Sequence, residues 1–193
     1  MSLKLIIGPM YAGKSTELVR DKRKISSEFP SCGILVINHT LDNRYTSSNF
    51  VTTHDKETEV CTKTNNLSSL VYMEEFKNAS HIFIDEGQFF EKNDILRFVK
   101  DCMYMYSKNV TIAGLVSGVN MSDLGGLSLL MKYANEISIL RGDCFYCDGG
   151  NSHSTMLEGV PNSFSMGDTI NMDKLNDYKF ISVCKKCWYD RVE

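Results

Sequence analysis

Apolar residues along this chain fall into short continuous runs, separated by stretches in which they recur at helical spacing. The runs occupy residues 3–7, 33–38, 81–85, 110–115 and 136–140, and Ile, Leu and Val dominate them. Strands that are apolar at consecutive positions are buried on both faces, as in a parallel sheet covered by helices. Between the runs the pattern predicts helices over 14–24, with Leu18 and Ile25 one stripe apart, over 93–106 and over 127–134. Strand and helix in alternation predict an open α/β sheet, and such sheets bind ligands beyond the C-terminal ends of their strands.

Two segments break the pattern. Residues 38–66 are rich in Thr, Asn, Ser and Asp, which predicts an excursion that holds ligand or packs against another subunit. From residue 141 the composition shifts to Cys, Gly, Asp and Asn without helical periodicity. This divides the chain into a main domain, 1–140, and a small second domain, 141–193. A length of 193 residues suits one full core with such an appendage. No apolar run reaches the roughly 18 residues that suggest a membrane span, and no charged-then-apolar leader opens the chain. The expected compartment is the cytosol, where the seven Cys read as thiols or metal ligands before disulfides. The net charge of −3 gives no electrostatic reason to expect a nucleic-acid partner.

Candidate chemistry begins directly after the first run. Gly8-Pro-Met-Tyr-Ala-Gly-Lys-Ser15 fits the phosphate-cradling pattern GxxxxGK[ST] at every fixed position. A strand that ends in such a loop and opens into a helix turns several N–H groups, and the positive helix end, toward one spot. Gly8, Met10, Tyr11, Ala12, Gly13, Lys14, Ser15 and Thr16 are therefore the expected nucleoside-triphosphate contacts. Lys14 would reach the β- and γ-phosphates, and Ser15 would hold Mg²⁺.

A second signal lies in the C-terminal segment, where Cys144-Phe-Tyr-Cys147 and Cys184-Lys-Lys-Cys187 form a CxxC…CxxC pair. Four thiolates on two tight turns suit one tetrahedral Zn²⁺. With no ligand position left open, such a zinc is structural, in a zinc-ribbon-like unit with a long loop between the turns. Residues 141–193 hold six Lys/Arg against eight Asp/Glu, the wrong sign for a phosphate-backbone footprint. Cys32, Cys61 and Cys102 read as core or surface thiols, and His39, His81 and His153 as structural.

Asp85 ends the third run and Glu86 follows it. At that point in a phosphate-loop enzyme an acid holds Mg²⁺, which suits Asp85, while Glu86 suits a proton acceptor for an attacking hydroxyl. Two carboxylates at a strand end are, taken alone, equally a pair of solvated charges. The motifs Gly8-Pro-Met-Tyr-Ala-Gly-Lys-Ser-Thr-Glu-Leu18, Asp42-Asn-Arg44-Tyr45, Thr53-His54-Asp55 and Asp85-Glu-Gly-Gln-Phe-Phe90, with the CxxC pair, run in order along the chain. Together they resemble the cytosolic, zinc-containing type of thymidine kinase.

That resemblance implies a phosphate-loop α/β fold and transfer of the ATP γ-phosphoryl group to the 5′-hydroxyl of thymidine. It implies Mg²⁺, a homotetramer and inhibition by the end-product triphosphate. It assigns Glu86 as base, places Asp42 and Arg44 beside the phosphates, and matches Met10, Phe89 and Leu115 to the thymine slot. Met10 and Phe89 equally suit the core, and Arg44 a surface ion pair. Where the family carries an aromatic loop over the nucleoside, this chain has Val119 and Leu124, and Phe180 stands for a family Tyr. Between Cys147 and Cys184 it has Asn171-Met172 in place of a Gly-Gly turn. The phosphate chemistry reads as intact and base recognition as altered, with deoxyuridine accepted beside thymidine. Rival readings are a kinase of another nucleoside, a nucleotide-hydrolysing switch and a zinc-stabilised nucleic-acid binder.

Overall fold

A computed structural model describes residues 1–42, 49–53, 57–118, 123–158 and 179–191. Six parallel strands form the main sheet: β1 (Leu3–Ile7), β2 (Gly33–His39), β5 (Thr62–Thr64), β6 (Ala79–Ile84), β7 (Asn109–Gly114) and β8 (Glu136–Ile139). Their order across the sheet is β5-β2-β6-β7-β1-β8.

Side-chain alternation shows how both faces are buried. Leu3, Leu5 and Ile7 of β1 point to one face, with Leu35, Ile37, Ile82, Ile84, Val110 and Ile112 beside them. Three helices cover that face: α2 (Glu74–Asn78), α3 (Lys92–Lys100) and α4 (Leu127–Leu130), through Phe76, Ile95, Phe98, Val99, Leu127 and Leu130. On the other face Ile6, Val36, Phe83 and Ala113 meet Leu18 and Val19 of α1 (Lys14–Glu28), together with Val51 and Cys61. The open α/β sheet predicted from the apolar runs is the one observed.

Several boundaries differ from the expected ones for identifiable reasons. Helix α1 runs on to Glu28 and stops at Phe29, the residue before Pro30, which disfavours helical backbone. The helix expected over 93–106 is α3 followed by a single π-helical turn, Asp101–Met105. That expected over 127–134 is α4 followed by a 3₁₀ turn, Met131–Tyr133. The polar excursion at 38–66 is not wholly outside the sheet, because β5 pairs with β2 and forms its edge. Among its described residues β3 (Phe50–Thr52) and β4 (Thr58–Val60) form an antiparallel pair. In the C-terminal segment β9 (Ser152–Leu157) and β10 (Phe180–Cys184) pair antiparallel, and a short helix, α5 (Lys185–Tyr189), follows.

Candidate active site

The phosphate loop bridges the end of β1 and the start of α1. Gly13 at its end has a φ of 81°, a left-handed conformation that costs glycine nothing and lets the chain turn into the helix. Tyr11 adopts a φ of 60° without that freedom. Lys14 is only 9% exposed, and its Nζ donates to the Pro9 carbonyl at 2.7 Å, so the ammonium lies folded over the loop.

Two strands away, β6 ends in the acidic pair. Asp85 is 2% exposed and Glu86 7%, so neither is a solvated surface charge. The Asp85 N–H donates to the Ile37 carbonyl at 2.9 Å, which ties the strand end to β2. Its Oδ1 accepts from the Glu86 N–H at 3.0 Å and from the Ser15 hydroxyl at 3.1 Å. The last bond joins the phosphate loop to the acidic strand end. The Ser15 hydroxyl and Asp85 carboxylate are hard oxygen donors in contact, a set that fits Mg²⁺. Glu86 follows in a left-handed conformation, φ 52°, and its Oε2 accepts from the Gln88 side-chain amide.

Asp42 stands just beyond the end of β2, its N–H donating to the His39 carbonyl at 3.0 Å. Its carboxylate accepts from Asn38 Nδ2 at 2.8 Å, and its carbonyl from Lys63 Nζ at 2.8 Å, so the edge strand β5 holds it in place. Arg44, expected beside it, lies outside the described residues, as do Val119 and the motif residues Asn43, Tyr45, His54 and Asp55.

The apolar candidates meet unevenly. Phe89 is half-buried against His39, with ring centroids 5.9 Å apart. His39 is fixed by the Leu41 N–H donating to its Nδ1 at 3.0 Å and by the edge of Phe90. Burial lowers its pKa, against a smaller opposite pull from Asp42. Leu115 and Leu124 are half-buried, and the Leu124 N–H returns to the Val116 carbonyl at 3.1 Å, closing the loop after β7. Met10 sits between the sheet and the C-terminal ribbon. Its N–H donates to Thr155 Oγ1 at 3.0 Å, and its carbonyl accepts from the Ser182 hydroxyl. A cavity of about 380 Å³ lies alongside, lined by Tyr11, Phe180, Ser182, Asp143 and Lys179 among others.

The sequence did not single out Thr155, Ser182, Asn38 or Lys63, and gave Gln88 no role. Gln88 stands inside the quoted acidic motif and was open to notice there. Thr155 and Ser182 touch Met10 across 145 and 172 residues, and no local pattern announces that.

The four cysteines converge. Their sulfurs all lie within 4.8 Å of one another, and Cys147 and Cys184 stand 3.9 Å apart. Bonds of about 2.3 Å in a tetrahedral Zn–thiolate centre put sulfurs about 3.8 Å apart, so the set fits zinc. Burial opposes ionisation of Cys144, but N–H groups of Cys184, Tyr146 and Cys147 outweigh it and bring the thiol down to about 6. Among the described residues Met156, Ile181 and Val183 are buried with Cys144 and Cys187 in this small cluster. By contrast Cys61 and Cys102 are buried in the main core, where desolvation pushes their thiols to about 11 and about 12. Cys32 is partly exposed.

Comparison with known proteins agrees with this arrangement. The thymidine kinase family model matches residues 1–188. The chain is 36% identical to the thymidine kinase of fowlpox virus (strain NVSL), across 97% of each protein. It is 34% identical to that of rabbit fibroma virus (strain Kasza), over 96% of this chain and 94% of the relative. With the thymidine kinase of Amsacta moorei entomopoxvirus it shares 36% identity over 76% of this chain and 80% of the relative. A match across nearly the whole length, on a parallel sheet with the phosphate loop and acidic pair at its strand ends, shows that this chain belongs to the thymidine kinase family.

Proposed function

We propose that the chain transfers the γ-phosphoryl group of ATP to the 5′-hydroxyl of thymidine. Family membership implies a nucleoside and ATP as substrates, with Mg²⁺ as the accompanying ion. The observation that carries the reading is the Ser15–Asp85 hydrogen bond, with Glu86 the next residue along. It brings the triphosphate cradle and the acidic strand end to one place, and phosphoryl transfer is mostly positioning and charge neutralisation.

Each residue then has a task. Amides of the loop from Gly8 to Thr16 receive the phosphates, and Lys14 exchanges the Pro9 carbonyl for phosphate oxygens. Ser15 and Asp85 would hold Mg²⁺, which when bound would offset the negative charge of the phosphates. Glu86 accepts the proton of the 5′-hydroxyl, and Asp42 and Arg44 flank the transferring group. Met10, Phe89, Leu115, Val119, Leu124 and Phe180 form the slot for the base, a flat apolar surface that excludes water. Cys144, Cys147, Cys184 and Cys187 hold a structural zinc that supplies folding energy to residues 141–193, while residues 1–140 carry the nucleotide. The working assembly is a cytoplasmic homotetramer, inhibited by the end-product triphosphate, with no nucleic-acid or membrane partner. Among the described residues no helix is long and apolar enough to cross a membrane.

The decisive experiment is identification of products after incubation with ATP, Mg²⁺ and a mixture of deoxynucleosides. Thymidine monophosphate is expected as the main product and deoxyuridine monophosphate as a second, with ADP equal to their sum. ADP released at the same rate without any nucleoside would replace the kinase with a hydrolase. In Glu86→Gln the fold and ATP binding should persist while kcat drops by at least about 100-fold, as for loss of a positioned base.

A further inference from the structure

Gln88 lies between the two strand ends that carry the site. It is 5% exposed and belongs to the 3₁₀ turn Gly87–Phe89 that follows Glu86. Its Nε2 donates to Glu86 Oε2, and its Oε1 accepts from the Leu115 N–H at 2.9 Å. The chemistry fixes which end is which, since a carboxylate only accepts and a backbone N–H only donates. Glutamine has both functions at one reach; leucine has neither, and glutamate in its ionised form lacks the donor.

Two glycines let the neighbouring strand end and loop close on Gln88, one against its side chain and one against its backbone. A Cβ on Gly114 would stand 2.6 Å from Gln88 Oε1, and one on Gly125 would stand 2.6 Å from the Gln88 carbonyl oxygen. Gly114 ends β7, and Gly125 follows the loop that carries Leu124. The amide thus spans from the carboxylate at the end of β6 to the first backbone group after β7, at Leu115, a residue of the proposed base slot.

We infer that Gln88 is a positioning residue, whose amide holds the Glu86 carboxylate in register with the strand end that carries the nucleoside. This rests on the reading of Glu86 as the base. Gln88 does its work through Glu86 and touches no reacting atom. Its removal therefore matters only while there is a carboxylate to aim.

The test is a double-mutant cycle on the full chain, with kcat and both KM values measured. Gln88→Met, close in length, should lower kcat by roughly 10- to 100-fold, the effect of a hydrogen bond to a charged group, and leave KM for ATP within about twofold. In the Glu86→Gln background the same substitution should change the residual kcat by less than about threefold. Gln88→Glu retains the shape and the acceptor for Leu115, yet sets a second carboxyl against Glu86; the pair cannot both stay ionised, so Glu86 is no longer a free base. It should lose kcat as Gln88→Met does, and it serves if the methionine variant does not fold. Wild-type kcat in Gln88→Glu, or an equal loss in both backgrounds, overturns the inference while leaving Glu86 as base. Wild-type turnover in Glu86→Gln alone removes Glu86 from the mechanism, and this role of Gln88 with it.

Discussion

Gly8, the first fixed residue of the phosphate loop, is constrained by clearance, and the cost of filling that clearance can be worked out. A Cβ at this position would lie 2.5 Å from the Leu140 carbonyl oxygen and 3.2 Å from its carbon. The obstacle is backbone and does not swing aside. The Leu140 N–H is bonded to the Ile7 carbonyl at 2.7 Å, and Ile139 pairs with Ile7 in the sheet. In Gly8→Ala the loop must therefore lift by about 0.5 to 0.9 Å to reach a tolerable contact. Overpacking of this kind costs about 1–3 kcal/mol, or roughly 2–12 °C in Tm for a chain of this size. The functional loss should be larger in proportion, because displacements near 1 Å in a positioning group cost on the order of 100-fold. We expect kcat/KM for ATP to drop by about that factor in a nucleoside-dependent ADP-release assay. Gly142→Ala is the control, since its Cβ would meet Ser152 Oγ and the Tyr11 carbonyl at an ordinary 3.4 Å. It should stay within about 0.5 kcal/mol and twofold of wild type. If Gly8→Ala behaves like Gly142→Ala, the loop is not held against β8 as described.

The metal reading predicts one zinc per chain by elemental analysis. Chelation should red-shift the emission of the single tryptophan, Trp188, which packs on the cysteine cluster, and should lower Tm; unchanged emission and Tm after metal removal would contradict it. A pH effect follows from His39, whose pKa burial pushes below 6.5. Below the unfolded value the unfolded chain takes up a proton that the folded chain refuses, so stability is full above about pH 6.5 and declines as pH falls from there. The slope should reach up to about 1.4 kcal/mol per pH unit for this one group. Denaturant melts at pH 7.5 and 5.5 measure it. His39→Asn keeps an acceptor for the Leu41 N–H and should flatten the slope; an identical slope in both proteins refutes the assignment.

What could be read in advance followed burial. Strands such as β1 and β6 are apolar at successive positions because helices cover both faces, and they announced themselves with the sheet. β5 did not, because an edge strand reading Thr-Lys-Thr has no buried face to impose a pattern. The same polarity hid its task of holding Asp42 through Lys63. The loop, the acidic pair and the cysteines were legible because their chemistry needs fixed spacing along the chain. Gln88 lay in plain view between Glu86 and Phe89, yet its partner, Leu115, is 27 residues away. The Thr155 and Ser182 contacts to Met10 depend on where a distant ribbon comes to rest.

Those last contacts order events in time. A ribosome making about 5–20 residues per second needs roughly 10 to 30 s to travel from Met10 to Ser182. For that interval the nascent loop lacks the Ser182 half of its clasp, and Thr155 alone can reach Met10. A chain released before Thr155 has every phosphate-loop residue and neither of the hydroxyls that fasten Met10. The loop's last fastening therefore arrives two residues ahead of Cys184, so it and the second cysteine pair leave the ribosome almost together.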